Sequence, residues 1–455
     1  MQDVERAQRL LKDNDIEWVQ GHFVDLMGYL RTFSMPAAPY FESAIWKEGM
    51  GFDGSSVKGF ATVESSDMVI VPDPATLLPL SWLEDGRRAR VVMDVFDVAS
   101  RQHFEGDPRH IARRAAHQVR DMGFDALHLA PEFEFHVFEQ ERWPRDAAQP
   151  DLHPGVLDPV QSGGYFAPLP FDHMEPFRNH LSEALMASGI DVKYHHHEGG
   201  TWQHEVEIRP LADAVQAADV TVLFKFMART LGSLYDLLVS FMPKPVPNEA
   251  GSGMHVHLEM FRGGRCAFYD PDEKHHLSQT ARYFIGGILE HAPAMTALTN
   301  PTVNSYKRLV PHHEAPIHIA WGAYNRSSLV RIPVQAGKNS SLDVEVRHPD
   351  PSANPYLAFA AIVHAGLDGI RQKREPGPAV EHNVYAMDDR QLREHGIGML
   401  PRTLGEALEA LHSDQVVQDA LGPVAVQAFL DLKRREWQDF LTHVSPWDYR
   451  RYFTI

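Results

Sequence analysis

Hydrophobic and polar positions alternate in some segments of the chain and recur with helical spacing in others. Strand-type alternation runs through residues 17–25 and 89–95, because neighbouring side chains of a strand point to opposite faces. Helical spacing predicts helices over residues 175–188, 213–241, 278–290, 355–373, 404–411 and 424–441. The strand-like segments do not recur in a regular βαβ rhythm, so the pattern favours an α+β fold with antiparallel strands.

A boundary between two domains is predicted near residue 103. Short alternating segments with turn-rich links precede it, which indicates a small mixed domain over residues 1–102. After it, Asp107 is placed to cap a helix, with Pro108 at the first helical position and Gly123 at the C-terminal stop. Residues 103–455 are therefore expected to form the second, larger domain.

Two long segments have compositions that limit their structure. Residues 140–164 contain four prolines and several glycines, which predicts a long loop of the kind that often serves as a lid. The longest apolar stretch, residues 220–242, contains Lys225, Arg229 and Asp236. Because these charges would be costly inside a bilayer, we expect a buried helix and no membrane span.

Composition excludes several classes of function. The 455 residues include 61 Asp and Glu against 43 Lys and Arg, a formal charge of −18, which argues against nucleic-acid binding. Cys266 is the single cysteine, so an intrachain disulfide and Cys-rich zinc sites are excluded. The first residues are charged and lack the apolar core of a signal peptide, so a cytoplasmic location is expected.

Four predicted strands carry charged side chains on one face. Alternation places together Glu132, Glu134 and His136; Glu205, Glu207 and Arg209; His255, His257 and Glu259; and Asp343, Glu345 and Arg347. Any one strand could be the solvated outer face of an antiparallel sheet. Concentrated carboxylates, however, raise one another's pKa unless a cation compensates. Glutamate oxygens with a single imidazole suit Mg²⁺ or Mn²⁺, and two ions would use this number of ligands.

A second group of residues is basic. Within about forty residues the chain carries Lys307, Arg308, Arg326, Arg331 and Arg347. Arginine binds phosphate or carboxylate with two parallel hydrogen bonds, although surface salt bridges are the alternative interpretation. Together with the acidic strands, the arginines indicate a metal–nucleotide site. A P-loop motif is missing, so any ATP would bind by other means.

The ordered motifs GFDGSSVKGF, GDPRHIARRA, PEFEF, GSGMHVH, NPTVNSYKRLVP, NRSSLVRIP and EVRHPDPSANPYLAFAA resemble the glutamine synthetase family, bacterial class I type, over nearly the whole chain. The resemblance implies an N-terminal β-grasp domain and a catalytic domain with an antiparallel half-barrel flanked by helices. It also implies a homo-oligomer, a dodecamer of two hexameric rings, with active sites between subunits.

The resemblance assigns roles to individual residues. One Mg²⁺ or Mn²⁺ would be bound by Glu134, Glu198 and Glu205, and the other by Glu132, His255 and Glu345. Glutamate would contact Gly251, Arg308 and Arg347. Arg326 and Arg331 resemble the phosphate-transfer arginines, while His257 and Lys338 lie on the nucleotide side. Asp53 and Ser56 resemble the ammonium loop, and Glu314 the flap that closes the site.

The implied reaction is the ATP-dependent ligation of glutamate to ammonia through γ-glutamyl phosphate. Several positions depart from the family pattern, notably Ala250 in place of an asparagine and His312-His313 in the flap. These changes leave two alternatives open: a γ-glutamyl ligase for a larger amine such as a polyamine or ethanolamine, and a non-catalytic regulatory relative. Tyr385 resembles a position that some members adenylylate, but an ordinary packed tyrosine is the competing interpretation.

Overall fold

The N-terminal part of the chain forms a six-stranded sheet with a helix packed on it. The computed structural model describes residues 2–61, 66–83, 86–139, 164–311, 315–333 and 340–455. The helices of this part are Gln2–Asp13 (α1) and Ile45–Glu48 (α2). Its strands are Trp18–Val24 (β1), Leu30–Pro36 (β2), Met50–Asp53 (β3), Asp67–Pro72 (β4), Leu78–Pro79 (β5) and Arg88–Asp97 (β6).

The strand order of this sheet is β2-β1-β6-β4-β3, with β5 also paired to β6. Strands β1 and β6 are parallel, and the other pairs are antiparallel. Ala7 and Leu11 of α1 are buried in the same core as Val19 and Val91. The apolar face of the helix therefore covers one face of the sheet.

A second, nine-stranded sheet lies in the rest of the chain. Its strands are Ala126–Glu139 (β7), Val192–His197 (β8), Gln203–Ile208 (β9), Leu237–Ser240 (β10), Val256–Arg262 (β11), Arg265–Cys266 (β12), Trp321–Ala323 (β14), Val330–Ile332 (β15) and Val344–Val346 (β16). The order is β14-β15-β16-β11-β7-β9-β8, with β10 on β7 and β12 on β11. A separate pair joins His318–Ile319 (β13) to Gly398–Met399 (β17).

Helices surround this sheet. They are Pro108–Asp121 (α3), Glu175–Ala187 (α4), Ala214–Leu234 (α5), Gln279–Thr299 (α6), Ser305–Arg308 (α7), Pro355–Gln372 (α8), Asp389–Glu394 (α9), Leu404–Ser413 (α10), Gln415–Leu421 (α11), Pro423–Thr442 (α12) and Pro446–Tyr452 (α13). Helices α6 and α8 cross at two glycines. A β-carbon on Gly287 would lie 2.1 Å from the Ala365 carbonyl oxygen, and one on Gly369 would lie 2.1 Å from that of Tyr283.

The predicted α+β class is confirmed, and so is the start of α3, where the Asp107 carboxylate accepts a hydrogen bond from the Arg109 amide. The proposed boundary between residues 102 and 103 lies between the two sheets.

Among the described residues, no helix is long and apolar enough to cross a membrane. Residues 140–163 of the predicted lid loop lie outside the described residues.

Two helix predictions were wrong at their C-terminal ends. The helix predicted to reach residue 241 ends at Leu234, because Asp236 adopts a left-handed conformation (φ 56°) and residues 237–240 pair with β7. A short apolar run fits a buried strand as well as a helix, so the pattern could not separate the two. The helix predicted to end at residue 290 continues to Thr299 and includes Pro293.

A buried charge network joins the two parts of the chain. The Arg109 guanidinium of α3 contacts Asp73 at 2.9 Å, Asp94 of β6 at 2.7 Å and Asp219 of α5 at 2.9 Å. The Tyr356 hydroxyl of α8 donates to Asp219 at 2.7 Å. Although burial opposes the charge, Asp219 and Asp94 raise the pKa of Arg109 above its ordinary value. Arg109 therefore links the N-terminal sheet to α3 and α5, and the Tyr356–Asp219 hydrogen bond extends the network to α8.

We predict that Arg109→Met lowers the free energy of unfolding by about 3–5 kcal/mol, because it removes the shared cation of three carboxylates from a site where the arginine is only 6% exposed. Asp94 keeps its ion pair with Arg113 in this variant. Urea unfolding followed by circular dichroism measures the change. Arg120→Met on the same helix is the control, since its 3.6 Å pair with Asp213 is 55% exposed on the arginine side and contributes about 1 kcal/mol or less. Equal losses in the two variants would contradict the prediction.

Candidate active site

The charged strand faces meet in a cleft of about 510 Å³. Strand register explains their meeting: β7 and β9 pair Glu132 with Glu207 and Glu134 with Glu205, while β11 and β16 pair His257 with Glu345. Directly paired residues of neighbouring strands project to the same face of a sheet. These side chains are mostly buried in the cleft, so the interpretation as a solvated outer face is wrong.

The cleft contains most of the predicted acidic, basic and imidazole groups, but the exposed Lys307 does not line it. Its acidic side chains are Glu132, Glu134, Glu198, Glu205, Glu207, Glu259, Asp343 and Glu345. Its basic and imidazole side chains are Lys193, His196, Arg209, His255, His257, Arg308, Arg326, Arg331 and Arg347. Gly251 also lines it. The structure thus collects in one place all six metal ligands that the resemblance implies.

Glu132, His255 and Glu345 form a compact group. One ligand atom from each lies within 4.8 Å of the others. The Glu132 Oε2 atom is 2.7 Å from His255 Nδ1, and this nitrogen is 3.7 Å from Glu345 Oε1. The geometry and the donor types suit a divalent cation with oxygen and imidazole ligands.

The other three predicted ligands are less closely grouped. Glu205 forms a compact group with His196 and Glu207. Glu134 accepts hydrogen bonds from the Gly253 amide and from Gln203 Nε2, both at 2.7 Å, and Glu198 accepts one from the Gly199 amide. All three carboxylates line the same cleft.

Two observations support a cation in this cleft. Burial and the nearby charges of Glu132, Glu134, Glu198 and Glu207 raise the pKa of Glu205 well above its ordinary value. The buried Oε2 atom of Glu345 accepts no hydrogen bond from the described residues, although the Arg331 Nε atom lies 2.8 Å away. A divalent ion would relieve the repulsion and give that oxygen a second partner besides its ion pair with Arg331.

The arginines are held by backbone carbonyls at the acidic end of the cleft. Arg308 is buried, and its Nη1 donates to the carbonyl oxygens of His348 at 2.8 Å and Pro349 at 3.3 Å. Arg347 donates through Nε to Glu345 at 3.0 Å and through Nη1 to the Arg326 carbonyl oxygen. Their forks are therefore positioned before any anion binds, as a carboxylate or phosphate site requires.

Two glycines let the backbone approach this region. A β-carbon on Gly251 would lie 2.5 Å from the Pro243 carbonyl oxygen and 3.0 Å from the Arg308 Cγ. One on Gly253 would lie 2.6 Å from Arg308 Nη2. Any larger residue would displace Arg308, which explains the glycines of the GSGMHVH motif.

Asp53 and Ser56 are not among the described residues that line the cleft. They lie at the end of β3, where Asp53 is exposed and accepts hydrogen bonds from the hydroxyls of Ser55 and Ser56, each at 2.6 Å. These hydrogen bonds lower the pKa of Asp53, so it stays ionised. Two other predicted residues, Glu314 and Lys338, lie outside the described residues.

Sequence reasoning missed several cleft residues and misplaced one. Lys193, Tyr165 and His196 line the cleft. Alternation along β8 would have found His196 opposite Glu205, but a register shift near residue 193 obscures the pattern. His136 was expected beside Glu134. It instead contacts Ser252 at 2.9 Å, because β7 continues beyond the cleft and pairs there with β10.

The side chain of Tyr385 lies outside the cleft. Its hydroxyl is part-buried and donates a hydrogen bond to the Ala315 carbonyl oxygen at 2.6 Å. This contact favours the packed tyrosine over an exposed acceptor for modification.

The chain matches two family models. Residues 15–98 match the glutamine synthetase β-grasp domain, and residues 105–452 match the glutamine synthetase catalytic domain. It is 41% identical to the glutamine synthetase of Archaeoglobus fulgidus, covering 100% of this chain and 98% of the relative. It is 42% identical to that of Thermus thermophilus, covering 98% and 97%.

Solved structures give the same picture of the fold. GmaS in complex with ADP superposes with a TM-score of 0.86 at 28% identity, covering 98% of this chain and 99% of that one. GmaS without ligand gives a TM-score of 0.85 at 29% identity, with the same coverage. The expected N-terminal β-grasp domain and half-barrel catalytic domain are confirmed.

We predict that stabilisation by Mn²⁺ increases with pH. In the metal-free protein the raised pKa of Glu205 means that its ionisation costs stability as pH rises, whereas a bound cation favours the ionised form. The rise in unfolding temperature on adding Mn²⁺ should therefore be larger at alkaline than at mildly acidic pH. Glu205→Gln should flatten this dependence and Glu183→Gln, an exposed change on α4, should leave it intact. An unchanged slope in Glu205→Gln would count against the assignment.

Proposed function

Because the chain belongs to the glutamine synthetase family, whose enzymes are ATP-dependent glutamate–ammonia ligases, we propose that it joins ammonia to the γ-carboxylate of glutamate. The observation that carries the proposal is the cleft in which Glu132, His255 and Glu345 lie beside the anchored arginines Arg308 and Arg347. Metal ligands and anion-binding forks in one cleft fit a reaction between a carboxylate and a nucleoside triphosphate.

Two divalent ions, Mg²⁺ or Mn²⁺, fit the acidic residues of the cleft. Glu132, His255 and Glu345 would hold one ion, and Glu134, Glu198 and Glu205 the other. When bound, such ions neutralise charge on the phosphates of ATP and on the phosphoryl group being transferred.

The basic residues of the cleft would orient the two anionic substrates. In our proposal Arg308 and Arg347, with the Gly251 backbone, bind glutamate, and Arg326 and Arg331 stabilise the charge that spreads over the transferred phosphoryl group. His257 and Lys338 belong to the nucleotide side in the family pattern. The glutamate γ-carboxylate attacks the γ-phosphorus of ATP, ADP leaves, and γ-glutamyl phosphate forms.

Asp53 suits the second step. An ammonium ion has no lone pair, so a carboxylate must bind it and accept a proton before the nitrogen attacks the acyl phosphate. The lowered pKa of Asp53 keeps its carboxylate ionised and favours the binding role. In our proposal this carboxylate accepts one proton before the nitrogen attacks, and the nitrogen loses a second proton after the carbon–nitrogen bond has formed. Ser56 holds the Asp53 carboxylate in place at 2.6 Å. Glu314 would exclude water from the acyl phosphate as the flap residue.

We also propose that each active site forms between two subunits of a dodecamer made of two hexameric rings. Asp53 is exposed on the N-terminal sheet, and an exposed acidic loop can complete a neighbour's cleft. The C-terminal end supports an assembly too, since Trp447, Phe453 and Ile455 are 55%, 77% and 97% exposed. Exposed large apolar side chains in a cluster are typical of interfaces.

A larger amine is the second candidate acceptor. Ala250 stands where the family has an asparagine, and the preceding Glu249 accepts a hydrogen bond from the Thr201 hydroxyl at 3.1 Å. This acidic group beside Gly251 would attract a second ammonium group on an acceptor such as a diamine. A non-catalytic regulator is disfavoured, because the complete ligand set has no structural need in such a protein.

The test is phosphate release from Mg-ATP and glutamate in the presence of ammonia, ethanolamine, putrescine or spermine, with mass spectrometry of the product. We expect glutamine at low ammonia concentrations. Turnover with larger amines alone would make the chain a γ-glutamylamide ligase. Glu134→Ala is expected to abolish phosphate release with every acceptor, and unchanged turnover in this variant would refute the two-metal assignment.

Asp53→Ala should raise the KM for ammonia and lower kcat. If Asp53 acts as a general base, kcat/KM should fall by about 10²–10⁴-fold. Glu48→Ala, which removes an exposed carboxylate of α2, serves as the control. If sites form between subunits, mixed assemblies of the inactive Asp53→Ala and Glu134→Ala chains should regain part of the activity, measured after dissociation and reassembly. Two inactive variants that never complement would place both residues in a site within one chain.

A further inference from the structure

The His257 side chain is engaged at both of its ring nitrogens. Nδ1 lies 2.5 Å from Asp343 Oδ2, and Nε2 lies 2.7 Å from Glu132 Oε1. Both ring nitrogens therefore lie within hydrogen-bonding distance of a carboxylate oxygen.

The contact with His257 decides which oxygen of Glu132 faces the metal ligands. Since Oε1 is held by His257, Oε2 is left on the side of His255, 2.7 Å from its Nδ1. That nitrogen is in turn near Glu345. The contact between His257 Nε2 and Glu132 Oε1 thus orients the Glu132 carboxylate within the compact group that it forms with His255 and Glu345.

Asp343 is itself fixed by its position in the sheet. It directly precedes β16, whose Val344 pairs with Leu258, the residue after His257. On its other side, the backbone of Leu342 contacts the Cys266 sulfur of β12 at 3.5 Å through both its amide and its carbonyl. The Asp343 carboxylate is largely buried. A rigid acceptor of this kind can hold an imidazole in one orientation.

We propose that Asp343 and His257 are positioning residues that hold Glu132 in its metal-binding orientation. The inference rests on the proposed metal site. Hydrogen-bonded partners behind metal ligands orient the ligand and raise affinity, and their removal typically costs about 10–100-fold in metal binding.

The test measures Mn²⁺ binding to the whole assembled protein by isothermal titration calorimetry, without nucleotide, glutamate or amine. Asp343→Ala should weaken Mn²⁺ binding at one class of site by about 10–100-fold, and Asp343→Asn, which can still accept from His257, should restore part of the loss. Glu259→Ala removes an acidic side chain from the same cleft and should change Mn²⁺ affinity several-fold less. Equal losses in Asp343→Ala and Glu259→Ala would overturn the proposal, because they would reflect charge alone.

A second measurement is ADP affinity at saturating Mn²⁺. It should be unchanged in Asp343→Ala if His257 acts only on Glu132. A fall in ADP affinity with intact Mn²⁺ binding would overturn the proposal and return His257 to the nucleotide. A structure of the wild-type protein with Mn²⁺ and ADP tests the same point without a variant: the His257 ring should stay hydrogen-bonded to Asp343, and a ring turned to the nucleotide would contradict it.

These outcomes separate the inference from the proposed function. The inference alone fails if the wild-type protein binds Mn²⁺ and turns over glutamate while Asp343→Ala binds Mn²⁺ as tightly as the wild type. The proposed function alone fails if the wild-type protein turns over glutamate with none of the amine acceptors while Asp343→Ala still binds Mn²⁺ more weakly than the wild type.

Discussion

Mutual repulsion among the carboxylates of the cleft is the constraint around which the catalytic sheet is arranged. Each acidic side chain has its own compensating group: arginines at Glu345, imidazoles at Glu132, and backbone amides at Glu134 and Glu198. Glu205 is the exception, since its neighbours are chiefly other carboxylates and its pKa is raised. The compensation is therefore incomplete, and this deficit favours the binding of a cation.

The partial compensation also connects stability to chemistry. A fully paired set of carboxylates would be stable without metal and would hold an ion weakly, whereas an uncompensated set would unfold the sheet or stay protonated. The Arg109 network stands at the other end of that range. Its three carboxylates all form ion pairs with Arg109. The junction of the two sheets is therefore stable without a bound ligand, unlike the cleft.

Much of the site could be predicted from the sequence because strand alternation is a local property. It placed Glu132 with Glu134, and Glu205 with Glu207, on shared faces, and the structure brings those faces into one cleft. Glu198 follows β8 in a turn, so only the family resemblance identified it. The strand at residues 237–240 and the departure of His136 from the cleft depend on pairing between distant segments, which no local pattern contains. The position of Asp53 outside the cleft of its own chain likewise depends on how distant segments of the chain pack together.

The crossing of α6 and α8 has a consequence for how this protein can change over time. Alanine is normally the better helix former by about 1 kcal/mol, yet at Gly287 and Gly369 a single methyl group would overlap a carbonyl oxygen of the facing helix. Substitutions that improve each helix by itself are thus forbidden by its neighbour. Gly287 and Gly369 are therefore constrained by the packing of two helices and not by the chemistry of the cleft, which neither residue lines.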